Sequence, residues 1–161
     1  ISLQLNAGAE IVMIFDTDAK SISNKENYSQ YSKYLYEEII KEFPKQIGYY
    51  SKSPFDNKFF VEDLNSDESY LAGLGVDHHL SMDHWFKEIN NGFIQGNFNQ
   101  ESMVKAHDEF KKDFDLYIDN FQNINEIDRA GWVCGLGHGI LKETPEENVH
   151  YFIENIRKIF S

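Results

Sequence analysis

Apolar positions along the chain fall into two periods. Short continuous apolar runs alternate with longer stretches whose apolar residues recur every three or four positions. The first run, Ile11-Val12-Met13-Ile14-Phe15, has the continuous character of a buried parallel strand. Residues 24–43 then read as a helix, with Ser23 and Glu26 as a capping box and an apolar stripe of Tyr28, Tyr31, Leu35 and Ile39. Pro44 ends that pattern. A second strand is predicted over Gln46 to Tyr50, a short helix near Ser66 to Ala72, and a third strand over Val76 to Leu80. A turn of helix at Trp85 to Ile89 precedes a fourth strand, Phe93-Ile94-Gln95, which stops at Gly96. A longer helix follows from about Gln100 to Phe121, with Phe110, Phe114, Tyr117 and Phe121 on one face. Trp132-Val133-Cys134 makes the fifth strand. The last helix opens at Thr144-Pro145-Glu146-Glu147, where Thr144 caps and Pro145 takes the first turn. Its stripe is Val149, Phe152, Ile153, Ile156 and Phe160.

Strands alternating with helices imply parallel pairing through right-handed crossovers. No repeat, low-complexity stretch or linker interrupts the pattern, so residues 1–161 are expected to form a single α/β domain. Two architectures fit it: an open doubly wound sheet, or a partial (β/α)8 TIM barrel of about five parallel strands with flanking helices. A whole barrel takes roughly 250 residues and eight strands. The chain has 161 residues and no initiator Met, and Ile1 to Leu5 already reads as the inside of an element. A fragment of a longer chain is therefore expected.

Composition narrows the functional classes. The chain is 41% hydrophobic and 15% aromatic, which marks a globular protein. No apolar stretch reaches the roughly 18 residues a membrane span needs. The net charge of −12 disfavours nucleic acid and anionic membrane as partners. The single cysteine, Cys134, allows no internal disulfide and points to a cytoplasmic setting. Inside an apolar strand, it reads as a small core residue.

Parallel α/β sheets bind ligands beyond the carboxyl ends of their strands. The segments so picked out are Asp16-Thr17-Asp18, Ser51-Lys52, Ser81-Met82-Asp83-His84, Gly96-Asn97 and Gly135-Leu136-Gly137-His138-Gly139. The last is the most informative. Glycines let the chain turn tightly and let a ligand approach it, and a histidine there can bond a carboxylate. A solvated histidine in a glycine-rich turn explains the local pattern about as well. A metal reading of Asp77, His78, His79, Asp83 and His84 is weaker, because neighbouring residues on a strand point to opposite faces. No metal site is expected.

The segment Gly135-Leu136-Gly137-His138-Gly139-Ile140-Leu141 followed by Thr144-Pro145-Glu146-Glu147-Asn148-Val149 resembles the carboxyl-terminal signature of the uroporphyrinogen decarboxylase family, with Gly135 in place of a usual Asn. Ala7-Gly8-Ala9 and Ile14-Phe15-Asp16-Thr17-Asp18-Ala19 are similar to the family's Gly-Ala strand and Phe-Asp/Glu-Ser segment. Met82-Asp83-His84 resembles its Leu-Asp-Trp, and Gln95-Gly96-Asn97-Phe98-Asn99 its Gln-Gly-Asn-Leu-Asp. The match runs in order along essentially the whole chain. Thr17 stands for a usual Ser, Lys20 for Gly, Asn99 for Asp and Gln100 for Pro.

The resemblance implies a barrel enzyme that decarboxylates the acetate side chains of uroporphyrinogen III to give coproporphyrinogen III, in haem and porphyrin biosynthesis. It implies no cofactor, a porphyrinogen as partner, and a homodimer in the full-length form. Thr17 and His138 are the implied substrate-binding residues, delivered to one mouth of the barrel. The family's catalytic Asp and its arginines lie outside this chain, which has only Arg129 and Arg157; the isolated chain is expected to be inactive. Two other readings stand beside this one: a zinc-dependent corrinoid-protein methyltransferase of the same superfamily, for which a His-x-Cys pair is lacking, and a non-catalytic fragment.

Overall fold

A computed structural model describes residues 1–53, 55 and 57–160. The elements in chain order are α1 (Ser2–Asn6), β1 (Val12–Asp16), α2 (Lys25–Glu38), β2 (Ile47–Ser51), α3 (Lys58–Leu64), β3 (Leu71–Gly75), α4 (Met82–Glu88), β4 (Phe93–Phe98), α5 (His107–Gln122), β5 (Trp132–Leu136) and α6 (Glu146–Phe160). The five strands form one parallel sheet in the order β1-β2-β3-β4-β5. Every strand follows its sequence neighbour through a helical connection, which is the winding of a stretch of (β/α)8 barrel. The α/β class read from the pattern is thus the observed one. Two compact units divide the chain: residues 1–76 with 87–94, and residues 77–86 with 95–161.

In the first unit, β1 and β2 pair in register from Val12 with Ile47 to Asp16 with Ser51. All of β2 and β3 is buried. β1 is not: only Val12 is buried, and Phe15 is 61% exposed. The continuous apolar run therefore does not mean burial here, because β1 is an edge strand with a neighbour on one side only. Helix α2 starts one residue later than the capping box implies. Asn24 is its cap, its side-chain oxygen accepting from the Asn27 amide at 2.8 Å. The buried face is Tyr28, Ser32, Leu35 and Tyr36, while Tyr31 is exposed. The helix closes at Glu38, well before Pro44, and a short 3-10 turn over Ile40–Glu42 follows.

The middle of the chain departs most from expectation. The helix predicted near 66–72 lies instead at Lys58–Leu64, and the strand predicted at 76–80 lies at Leu71–Gly75. Asp63 organises the shift. Its carboxylate takes the Tyr70 and Leu71 amides, the Ser69 hydroxyl and the Tyr36 hydroxyl, and so ties the end of α3 to the start of β3. Gly73 hides the strand from pattern reading. A Cβ there would fall 2.4 Å from the Phe93 ring, so close packing demands the residue that a strand ordinarily disfavours.

The second unit packs around Phe98, Met103, Phe110, Phe114, Ile118 and Phe152, with Tyr117, Cys134, Leu136, Tyr151 and Phe160 against them. Helix α5 begins at His107 rather than near Gln100, because a 3-10 turn over Ser102–Val104 intervenes. Its buried positions are Phe110, Phe114, Ile118 and Phe121. Asn148 on α6 is fully buried and ties these pieces together. Its amide donates to the carbonyls of Met103 at 2.9 Å and Lys105 at 3.0 Å, and its oxygen meets His107 Nδ1 at 2.7 Å. The Thr144 hydroxyl has no hydrogen-bond partner among the described residues, so it does not cap α6.

Candidate functional site

Of the polar segments that the sequence places beyond the strands, Thr17-Asp18, Lys52, Ser81–His84 and Gly137–Gly139 do lie there, whereas Asp16, Ser51 and Gly135-Leu136 are the last residues of β1, β2 and β5 and Gly96-Asn97 falls inside β4; each unit carries its own set. In the first, β1 ends at Asp16 and runs into a 3-10 turn over Asp18–Ser21, with Thr17 at its head. The Asp16 carboxylate is engaged in local structure through both oxygens. One accepts from the Ala19 amide at 3.1 Å and the other from the Tyr49 hydroxyl at 2.9 Å. Burial, helped by the nearby Asp16 charge, pushes the Tyr31 phenol up to about 12. Burial likewise raises Tyr49, so both phenols stay neutral donors at physiological pH. Thr17 has helical backbone angles, and its side chain is exposed and makes no capping bond. On β2, Ser51 is buried and its hydroxyl accepts from the Ser53 amide at 3.0 Å.

In the second unit, three strand-end segments meet through backbone contacts. The Asn97 side chain donates to the carbonyls of Asp77 at 2.8 Å and Leu80 at 2.6 Å. It thereby fixes the loop between β3 and α4 to the end of β4. The Asn97 amide itself donates to the Tyr117 hydroxyl at 3.1 Å, and Trp132 donates through its ring nitrogen to the Gly96 carbonyl at 2.8 Å. The Gly137 amide donates to the Phe98 carbonyl at 2.8 Å. At Gly137 the chain runs against the loop: a Cβ there would lie 2.7 Å from the His78 nitrogen. That contact makes glycine obligatory at 137. A Cβ at Gly139 would meet nothing within 4 Å, and one at Gly135 only the Gln95 side chain at 3.6 Å.

His138 follows Gly137 and is half-buried. Its Nδ1 is shielded from solvent and has no hydrogen-bond partner among the described residues. His78 shares this property at its own Nδ1. The expectation that His78 and His79 point apart does not hold, since β3 ends at Gly75 and strand alternation never reaches them. Their rings lie with centroids 4.5 Å apart. Among the described residues, no group of three or more His, Cys, Asp or Glu could hold a metal ion. Burial pushes the Cys134 thiol up to about 12, so at neutral pH it stays protonated and is a poor nucleophile. Arg129 lays its guanidinium over the Phe160 ring at 4.8 Å. No helix of the described residues is long and apolar enough to cross a membrane.

Thr17 belongs to the first unit and His138 to the second. Sequence reasoning named both, but it missed Asn97 as the link between β4 and the β3–α4 loop, and Tyr49 as a partner of Asp16. The signal for Asn97 was present in Gln95-Gly96-Asn97: a polar residue where a buried strand continues. For the tyrosine there was none, since Tyr49 read as a member of an apolar run.

A model of the uroporphyrinogen decarboxylase family matches residues 1–159. Among curated proteins, the chain is 30% identical over 169 residues to a uroporphyrinogen decarboxylase of Trichodesmium erythraeum, covering 98% of this chain and 43% of that protein. It is 27% identical to one of Orientia tsutsugamushi strain Boryong, covering 98% of this chain and 45% of the relative. A Picrophilus torridus protein of the same name is 29% identical over 95% of this chain and 43% of its own length. The chain thus spans less than half the length of these relatives.

Proposed function

From the premise that the chain belongs to the uroporphyrinogen decarboxylase family, we propose that it contributes one wall of a porphyrinogen decarboxylase as part of a longer assembly. The reaction removes carboxyl groups from the acetate side chains of uroporphyrinogen III. A proton added to a pyrrole carbon turns the ring into an electron sink. The bond between the acetate methylene and its carboxylate then breaks, carbon dioxide leaves, the methylene takes a proton to become a methyl group, and the ring carbon gives up the proton first added, so that one proton is consumed for each carboxylate lost. Nothing in those steps requires a metal or an organic cofactor. They require that carboxylates be gripped, that positive charge on the ring be stabilised and that protons be delivered.

In this reading the chain's own residues hold the substrate. Thr17 donates its hydroxyl proton to a substrate carboxylate, and His138 contacts another carboxylate or the macrocycle. The relatives' names and the family match support the reaction class. The observation that carries the residue assignment is the place of His138: it lies beyond the end of β5, where parallel α/β sheets bind ligands, next to the Gly137 turn that packs against the loop after β3. The net charge of −12 supports an assembly, because a substrate bearing eight carboxylates needs cations that this chain does not gather. The surroundings of Cys134 disfavour the zinc methyltransferase alternative.

The test is His138→Asn in the assembled enzyme, assayed for conversion of uroporphyrinogen III with product resolved by chromatography. Turnover should fall severalfold or more, with circular dichroism and melting temperature unchanged. Wild-type kinetics in that variant would remove His138 from the site.

A further inference from the structure

We propose that Asp16 is a positioning residue whose task is to present the Thr17 hydroxyl, an inference that rests on the reading of Thr17 as a substrate-binding group. Asp16 is the last residue of β1 and is held from every side. Its backbone carbonyl accepts from the Lys52 amide at 3.1 Å, continuing the ladder with β2. Its side chain then reaches in two directions. Oδ1 takes the Ala19 amide at 3.1 Å, which closes the chain into a turn around Thr17 and Asp18. Oδ2 takes the hydroxyl of Tyr49, which is fully buried on β2 and packed at 4.4 Å, centroid to centroid, on Phe60 of α3.

These bonds have two consequences. First, Asp16 is not the acid that faces the substrate, since its two carboxylate oxygens are committed to an amide and a phenol within the first unit. Second, Thr17 is bracketed. The residue before it is anchored to β2 through its backbone and through Tyr49, and the amide two residues after it is anchored to that same carboxylate. The Thr17 amide also donates to the Phe15 carbonyl at 3.1 Å. Its backbone is thus held while its side chain stays exposed and uncommitted to any cap. A hydrogen-bond donor locked in place before its acceptor arrives loses little entropy on binding, which is how a short hydroxyl becomes effective. The end of β2 shows that a strand terminus here needs no such apparatus. Ser51 closes its turn with one local bond to the Ser53 amide.

The test uses the assembled enzyme with uroporphyrin, the stable oxidised octacarboxylate, titrated by fluorescence quenching. Thr17→Val should weaken binding about threefold to tenfold, the worth of one hydrogen bond. Asp16→Asn and Tyr49→Phe should each approach that loss. The double variant Asp16→Asn/Thr17→Val should bind no worse than Thr17→Val alone, because Asp16 acts through Thr17. Losses that add in the double variant, or wild-type affinity in Asp16→Asn, overturn the proposal. Absence of binding by the wild-type assembled enzyme, or wild-type affinity in Thr17→Val, counts against the function of Thr17 instead. Amide exchange then decides the positioning: Asp16→Asn should accelerate exchange at Ala19 while leaving the α2 amides unchanged. Unaltered exchange at Ala19 overturns the proposal.

Discussion

Replacing Asn148 with alanine removes three hydrogen bonds at once from the interior of the second unit. The Met103 and Lys105 carbonyls and His107 Nδ1 each lose their partner. A buried polar group left unpaired costs about 1–3 kcal/mol. The lower figure suits carbonyls that keep a second lone pair and a half-buried imidazole, so the three sum to roughly 3 kcal/mol. The better helix propensity of alanine in α6 returns roughly 0.5 kcal/mol. With a urea slope of about 2 kcal/mol per molar, the midpoint should drop by about 1 M or slightly more. Both tryptophans, Trp85 and Trp132, lie in this unit, so their emission follows its unfolding. Asn148→Asp tests the donor half separately. It keeps an oxygen for His107 but turns the other against two carbonyls, and it should cost at least as much as alanine. A midpoint shift below about 0.2 M for Asn148→Ala, with an unchanged slope, would refute the view that this amide holds the start of α5 to α6.

Two further outcomes follow from the same unit. Gly137→Ala forces a methyl to within 2.7 Å of the His78 nitrogen, so about 1–3 kcal/mol of stability should be lost, whereas Gly139→Ala, with nothing within 4 Å, should be nearly neutral in urea titrations. Cys134 should resist alkylation by iodoacetamide at neutral pH in the native state and react promptly in denaturant. Its folded value of about 12 lies above the unfolded one of roughly 8.5, so any stability it contributes holds below the unfolded value and drains away as pH rises towards 12.

The fold was readable where periodicity and burial coincide. β2, β4, β5, α5 and α6 all appear close to where their apolar residues put them. Reading failed between residues 58 and 80, where tertiary packing outranks local pattern. Leu71-Ala72-Gly73-Leu74-Gly75 is a strand because neighbouring rings leave no room for side chains, and glycine-rich composition conceals that. At β1 the opposite happened: an apolar run announced a buried strand, yet burial depends on a neighbour that no local pattern reveals. Of the candidate site, Thr17 and His138 were legible through the motifs around them. The bonds behind Thr17 were not, because the phenol of Tyr49 reaches Asp16 from a distant position in the chain. Capping was misread by one residue at Ser23 and outright at Thr144, where side-chain rotamers rather than residue types decide.

The three glycines around His138 differ in who requires them. Packing enforces 137 and is indifferent to 139. A library of variants screened only for folding should therefore hold 137 fixed and let 139 drift. Should a second screen, for turnover, keep glycine at 139 as well, the constraint there would come from outside the polypeptide. The empty space over that position would then trace the outline of the substrate.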